Sequence, residues 1–128
     1  MSQKIGFIGL GRMGKPMASN MQKKGFELVV LDLNKQAVAE LVALGAKAGN
    51  SIADIARECD IIVTMLPSSV EVEKVANGPD GIFANAKKGA ILMDMSTIDP
   101  VATDRLNAEA QKHGMTMVDA PVGRLAEH

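Results

Sequence analysis

The sequence predicts an α/β fold built on a doubly wound, mostly parallel sheet. Three observations carry that expectation: short apolar runs of strand length recur along the chain, amphipathic stretches of helical spacing separate them, and glycine or a capping residue stands at most junctions. The 128 residues match the length of one ordinary domain with a core of its own.

Residues 5–8 and 28–31 have the character of buried strands, and residues 13–24 between them carry helical spacing that Gly25 ends. Asn34 is placed to cap a second helix running to about Leu44, after which Gly45 supplies a left-handed residue, and residues 46–48 make a short strand. Ser51 with Asp54, and Ser68 with Glu71, have capping-box spacing. The first pair opens a short helix ahead of a strand at 61–65, and the second opens a helix toward Ala76. Residues 77–81, Asn-Gly-Pro-Asp-Gly, are the clearest loop, and residues 90–94 form a fifth strand. Asp99 as cap and Pro100 at the first helical position launch a helix ending near His113 and Gly114, and residues 115–118 supply a sixth strand. Right-handed crossovers then bring every strand's carboxyl end to one edge, where such folds bind ligands. The segments to search are therefore 9–14, 32–34, 66–69, 95–98 and 119–124.

Composition removes several classes of function. With 14 basic against 15 acidic side chains there is no nucleic-acid footprint, and with aromatic content of 2% and no Trp or Tyr there is no stacking platform for single strands. The longest apolar stretches, such as residues 61–66, are too short to span a bilayer, and the first residues lack a signal-peptide pattern, so a cytoplasmic protein with no membrane partner is expected. One cysteine, Cys59, leaves no intrachain disulfide and no CxxC metal site, and reads as a small buried thiol late in a helix. No metal is expected, and the 9 methionines read as flexible core filler.

Gly9-Leu10-Gly11-Arg12-Met13-Gly14 matches G-x-G-x-x-G, follows an apolar strand and opens an amphipathic helix. An acidic residue, Asp32, stands 18 positions after Gly14 at the end of the second strand. Together these are the fingerprint of a Rossmann-type dinucleotide site. Gly9 permits the tight turn, Gly11 lets the backbone approach the pyrophosphate, Gly14 lets the helix pack on the strand, and the amides of Arg12 and Met13 face the anion. The plain alternative is a strand-to-helix turn with no ligand. Asp32 would accept hydrogen bonds from the adenosine ribose and repel the 2′-phosphate of NADP, which favours NAD and leaves NADP second, by way of Arg12 or Lys35. Its bland alternative is a solvated loop carboxylate.

The stretch from Gly9 to Asn20, GLGRMGKPMASN, resembles the signature of the β-hydroxyacid dehydrogenase family, which includes 3-hydroxyisobutyrate dehydrogenases and tartronate semialdehyde reductases. Met65-Leu66-Pro67, Asp94-Met95-Ser96-Thr97-Ile98-Asp99-Pro100 and Asp119-Ala120-Pro121-Val122 resemble its later blocks in the same order. The resemblance implies that Leu10 belongs to the cofactor turn, that Leu66 and Pro67 line the ribose and nicotinamide side, that Thr97 touches the nicotinamide end, and that Ser96 sits near the substrate. Read without the family, Pro67 can simply stop a strand, and Ser96 and Thr97 can satisfy local backbone groups. After Val122 the chain has Gly123-Arg124-Leu125 where the commoner pattern has Ser-Gly-Gly, and this variant is similar to the sulfolactaldehyde reductases of the family. There Gly123 and Arg124 would meet the substrate's carboxylate or sulfonate, a role that suits the fixed charge and parallel donors of a guanidinium. A solvated arginine near the chain end is the alternative.

By the same resemblance, the activity is hydride transfer between NAD(H) and a small 3-hydroxy acid or the corresponding acid-bearing aldehyde, by a homo-oligomer. The family's proton-donating lysine and its helical C-terminal domain lie downstream, so no residue here is expected to be catalytic. Residues 1–128 would be a dinucleotide-binding domain, incomplete at its C-terminal end and inactive alone. A non-catalytic nucleotide-sensing module is the competing expectation.

Overall fold

The computed structural model describes residues 4–11, 14–96 and 99–120. The described residues form six strands and six helices, alternating except where α4 and α5 follow one another: β1 (Lys4–Ile8), α1 (Gly14–Lys23), β2 (Glu27–Leu31), α2 (Lys35–Ala43), β3 (Lys47–Ala48), α3 (Ile52–Glu58), β4 (Ile61–Thr64), α4 (Ser69–Ala76), α5 (Ile82–Asn85), β5 (Ile91–Asp94), α6 (Pro100–Lys112) and β6 (Thr116–Asp119). The strands form one sheet in the order β3-β2-β1-β4-β5-β6, with every neighbouring pair parallel. That is the doubly wound order, and its reversal point lies between β1 and β4.

Alternation along the inner strands supplies a core on each face. Ile5 and Phe7 of β1 and Leu28 and Val30 of β2 pack against Ala18 of α1 and Ala37 and Leu41 of α2. Ile8, Val29, Ile62 and Leu92 belong to the opposite core, with Ile55, Val72, Ile82, Phe83 and Leu106. Gly6 sits on this second face because a Cβ there would lie 2.3 Å from Ile55 Cγ2. Met115 is buried, and Met17, Met21, Met65, Met93, Met95 and Met117 pack at the edges of the two cores, as gap-filling side chains do. Cys59 is buried just after α3, and burial, with the charge of Glu58 second, pushes its thiol up to about 11.

The helix starts follow local chemistry. Asn34 accepts from the amides of Gln36 and Ala37, Ser51 from Asp54, Ser68 from Glu71, and Asp99 from Ala102. Gly25 and Gly45 follow α1 and α2 with φ of +93° and +112°. The expected elements differ from these by a residue or two at their ends, with one omission. Helix α5 follows the 77–81 loop, where Ile82 and Phe83 are driven into the core and Asn85 Nδ2 donates to the carbonyls of Pro79 and Gly81. Four residues are too few to show a helical period.

Candidate functional site: a cleft at the carboxyl edge of the sheet

Where the strand order reverses, the loops after β1 and β4 part and leave a cleft of about 620 Å³. The size falls in the range of small-molecule and cofactor sites. Ile8, Gly9, Gly11 and Gly14 line one side, Leu31, Asp32 and Leu33 another, and Met65, Leu66 and Pro67 a third, with Ile52, Glu71, Lys74 and Val75 closing the far wall.

The glycines divide by what surrounds them. Gly9 has φ +101°, and a Cβ there would stand 2.1 Å from the Met65 carbonyl oxygen, so the turn is pressed against the end of β4. A Cβ on Gly14 would meet the Gly9 carbonyl oxygen at 2.3 Å, which shows the first turn of α1 lying directly on the β1 loop. Gly11 differs. Its φ is not left-handed, and among the described residues nothing lies within 4 Å of where its Cβ would be. The described residues give no reason for glycine there, whereas a group seated in the cleft would. The residues present thus fit a ligand that must approach this backbone closely.

Asp32 is neither free nor merely solvated. One carboxyl oxygen accepts from the Asn34 amide at 2.7 Å and the other from the Leu10 amide, fastening the end of β2 to the glycine turn. Leu10 is buried against the core beside α1 and α2, so its role is to anchor the turn from beneath.

Leu66 and Pro67 stand on the cleft wall, as the sequence indicates. Ser96 is turned inward. It is 2% exposed, and its hydroxyl accepts from the Leu66 amide at 2.7 Å, so it satisfies main chain 30 positions away and not the local backbone groups that the plain reading named. Beneath it, Asp94 is fully buried and accepts from Thr64 Oγ1 at 2.8 Å and from the Ser96 amide at 3.2 Å. Burial pushes the Asp94 carboxyl above the usual carboxylate range. Hydrogen bonds from Thr64 and Ser96 oppose that shift, and the charge of Asp119 adds to it. Ser69 and Asp99 exchange hydrogen bonds of 3.1 and 3.2 Å, joining the starts of α4 and α6. Arg12, Met13, Thr97, Gly123 and Arg124, all named from the sequence, lie outside the described residues.

The sequence reasoning passed over the far wall and the buried Asp94. Glu71, Lys74 and Val75 recur at i, i+3 and i+4 and so share one face of α4, a spacing that was legible. Asp94 was signalled as the single charged residue of the strand Ile-Leu-Met-Asp. Among the described residues no group of three or more His, Cys, Asp and Glu side chains could hold a metal ion, and no helix is long and apolar enough to cross a membrane.

Comparison with known proteins agrees with this geometry. A probable mitochondrial 3-hydroxyisobutyrate dehydrogenase of Dictyostelium discoideum is 47% identical over 121 residues, which are 94% of this chain and 38% of that protein. A 3-sulfolactaldehyde reductase of Escherichia coli is 45% identical over 120 residues, covering 94% of this chain and 40% of its own length. Among solved structures, a 3-hydroxyisobutyrate dehydrogenase of Mycobacterium tuberculosis superposes with a TM-score of 0.86 at 31% identity, over 94% of this chain and 40% of that one. The chain thus spans about two fifths of the length of these relatives. Residues 4–126 match the family described as the NAD binding domain of 6-phosphogluconate dehydrogenase, and the chain belongs to that family.

Proposed function

We propose that this chain is the cofactor-binding part of an oxidoreductase that moves a hydride between NAD(H) and a small 3-hydroxy acid or the corresponding acid-bearing aldehyde. The observation that carries the reading is Gly11, which lines the cleft and has nothing among the described residues within 4 Å of where its Cβ would be, in a turn whose other two glycines are packed against backbone. The named activities of the relatives, 3-hydroxyisobutyrate dehydrogenase and 3-sulfolactaldehyde reductase, support the reaction class.

The nicotinamide ring, when bound, supplies or takes the hydride. The chain's own residues bind and orient. Gly9, Gly11 and Gly14, with the amides of Arg12 and Met13, receive the diphosphate at the start of α1. Asp32 faces the ribose, and its lone pairs beyond those used by Leu10 and Asn34 remain for hydroxyl donors, while its charge disfavours a 2′-phosphate. Leu66 and Pro67 with Thr97 flank the nicotinamide side and keep water from it. Gly123 and Arg124 bind the substrate's carboxylate or sulfonate, and Ser96, next to Thr97 in the chain, lies near the substrate. The whole protein works in the cytoplasm as a homo-oligomer, on a small anion.

The test is a melting comparison of this chain with NAD and with NADP. Ligand at about a hundred times its dissociation constant stabilises by roughly 2.7 kcal/mol. A clear rise with NAD and a smaller one with NADP is expected. A larger shift with NADP overturns the reading of Asp32, and no shift with either overturns the reading of the cleft.

A further inference from the structure

We propose that Asp94 is a positioning residue for the dinucleotide cleft: gripping Thr64 on one side and Ser96 on the other, it fixes the main chain of Leu66 and Pro67, which forms the cleft wall. This rests on the reading of the cleft given above.

The geometry is a continuous set of hydrogen bonds running from the interior to the wall. Asp94 closes β5 next to the end of β4, paired in register with Thr64. Its Oδ1 accepts from the Thr64 hydroxyl and from the Ser96 amide, so one buried oxygen holds both the last residue of β4 and the loop that follows β5. Met95 N donates to the Thr64 carbonyl at 2.8 Å, which keeps that loop in line with the sheet for one residue more. Ser96 is thereby presented with its hydroxyl toward the Leu66 amide, 2.7 Å away. Leu66 is the first residue beyond Met65, whose amide still donates to the Ile8 carbonyl of β1. Past that point the wall has no ladder partner among the described residues, and Ser96 supplies a side-chain one.

Burying a carboxyl at the carboxyl end of a parallel sheet is costly, and a Thr–Asp pair is not needed for packing where Val or Leu would serve. Asp94 Oδ2 has no hydrogen-bond partner among the described residues. A polar group retained at such cost is accounted for by what it orients. Leu66 and Pro67 face the cleft from the β4 side, opposite the glycine turn, and a shift of the Leu66 amide moves the surface against which a dinucleotide would lie.

The experiment compares Ser96→Ala, Ser96→Thr, Thr64→Val and the unaltered chain by amide hydrogen exchange and by calorimetric titration with NAD. Ser96→Ala should raise exchange at the Leu66 amide about 10-fold relative to that of Val63 and weaken NAD by about 10-fold. Ser96→Thr, which keeps the hydroxyl, should restore both, and Thr64→Val, acting only through Asp94, should move both in the same direction by a smaller factor. Unchanged Leu66 exchange in Ser96→Ala overturns the inference. So does faster exchange with undiminished NAD affinity, since the clamp would then hold the wall without serving the cofactor. An unaltered chain that binds no NAD overturns the reading of the cleft and the purpose assigned to Asp94, while the exchange data still decide whether the clamp exists.

Discussion

Adding one methyl group at Gly9 and at Gly11 should have opposite consequences. At Gly9 an alanine must adopt φ near +101° with its Cβ 2.1 Å from the Met65 carbonyl oxygen and 3.0 Å from Leu66 Cδ2. The left-handed backbone costs roughly 1–2 kcal/mol, and relieving the overlap with main chain costs about 1–3 kcal/mol more. Gly9→Ala should therefore destabilise by about 2–5 kcal/mol, a fall in Tm on the order of 8–20 °C for a domain of this size. Gly11→Ala meets nothing within 4 Å among the described residues and keeps an ordinary φ, so the fold should be unchanged or gain up to about 1 kcal/mol from the stiffer unfolded chain. Its effect falls on the ligand. A charge-assisted amide hydrogen bond to phosphate is worth about 1.5–3 kcal/mol, so losing one weakens NAD by roughly 10- to 150-fold. Scanning calorimetry with and without NAD reads both quantities. Gly11→Ala with undiminished NAD stabilisation, or Gly9→Ala melting with the unaltered chain, would refute the reasoning.

Other outcomes follow from the same geometry. The buried Cys59 thiol, at about 11, should resist iodoacetamide at pH 8 and react only as the chain unfolds in urea; prompt labelling of the folded protein contradicts its placement. Asp94 should impose a pH dependence of its own. Its folded-state value is raised, so its contribution is whole below the unfolded value and is lost as pH rises through the folded one; Asp94→Asn should flatten that limb of the urea midpoint against pH. The neighbouring charge to control for is Asp119. Asp99 and Asp60 work in the opposite direction. The Ala102 amide lowers the first and the Lys4 amide the second, so their contributions are lost as pH falls through those lowered values. Asp99→Ala should lower the urea midpoint at neutral pH as a lost helix cap, and a change within error would show that Pro100 alone starts the helix.

Legibility in the sequence followed the range of the forces involved. The caps at Asn34, Ser51, Ser68 and Asp99 could be read because each is closed by an amide two or three residues away. The glycine turn could be read because its strand, turn and helix are contiguous, and Asp32 because it falls at the end of the next strand. What escaped depends on contacts made across the fold. Thr64, Asp94 and Ser96 meet only when β4 and β5 pair, and the Asp94–Thr64 and Ser96–Leu66 bonds each join residues 30 positions apart. Helix α5 escaped because burial of Ile82 and Phe83 organises it, with no capping side chain or period to announce it. Ser96 shows both limits: its place beside the cleft was legible, but the inward direction of its hydroxyl was not.

Because Asp32 holds two main-chain amides, any redesign of the ribose end inherits a mechanical debt. Exchanging that carboxylate for a neutral or cationic side chain, the obvious route to a different nucleotide, also unties the strand end from the turn above it. A successful redesign must bring a substitute acceptor for Leu10 and Asn34 along with the new side chain, or accept a looser turn.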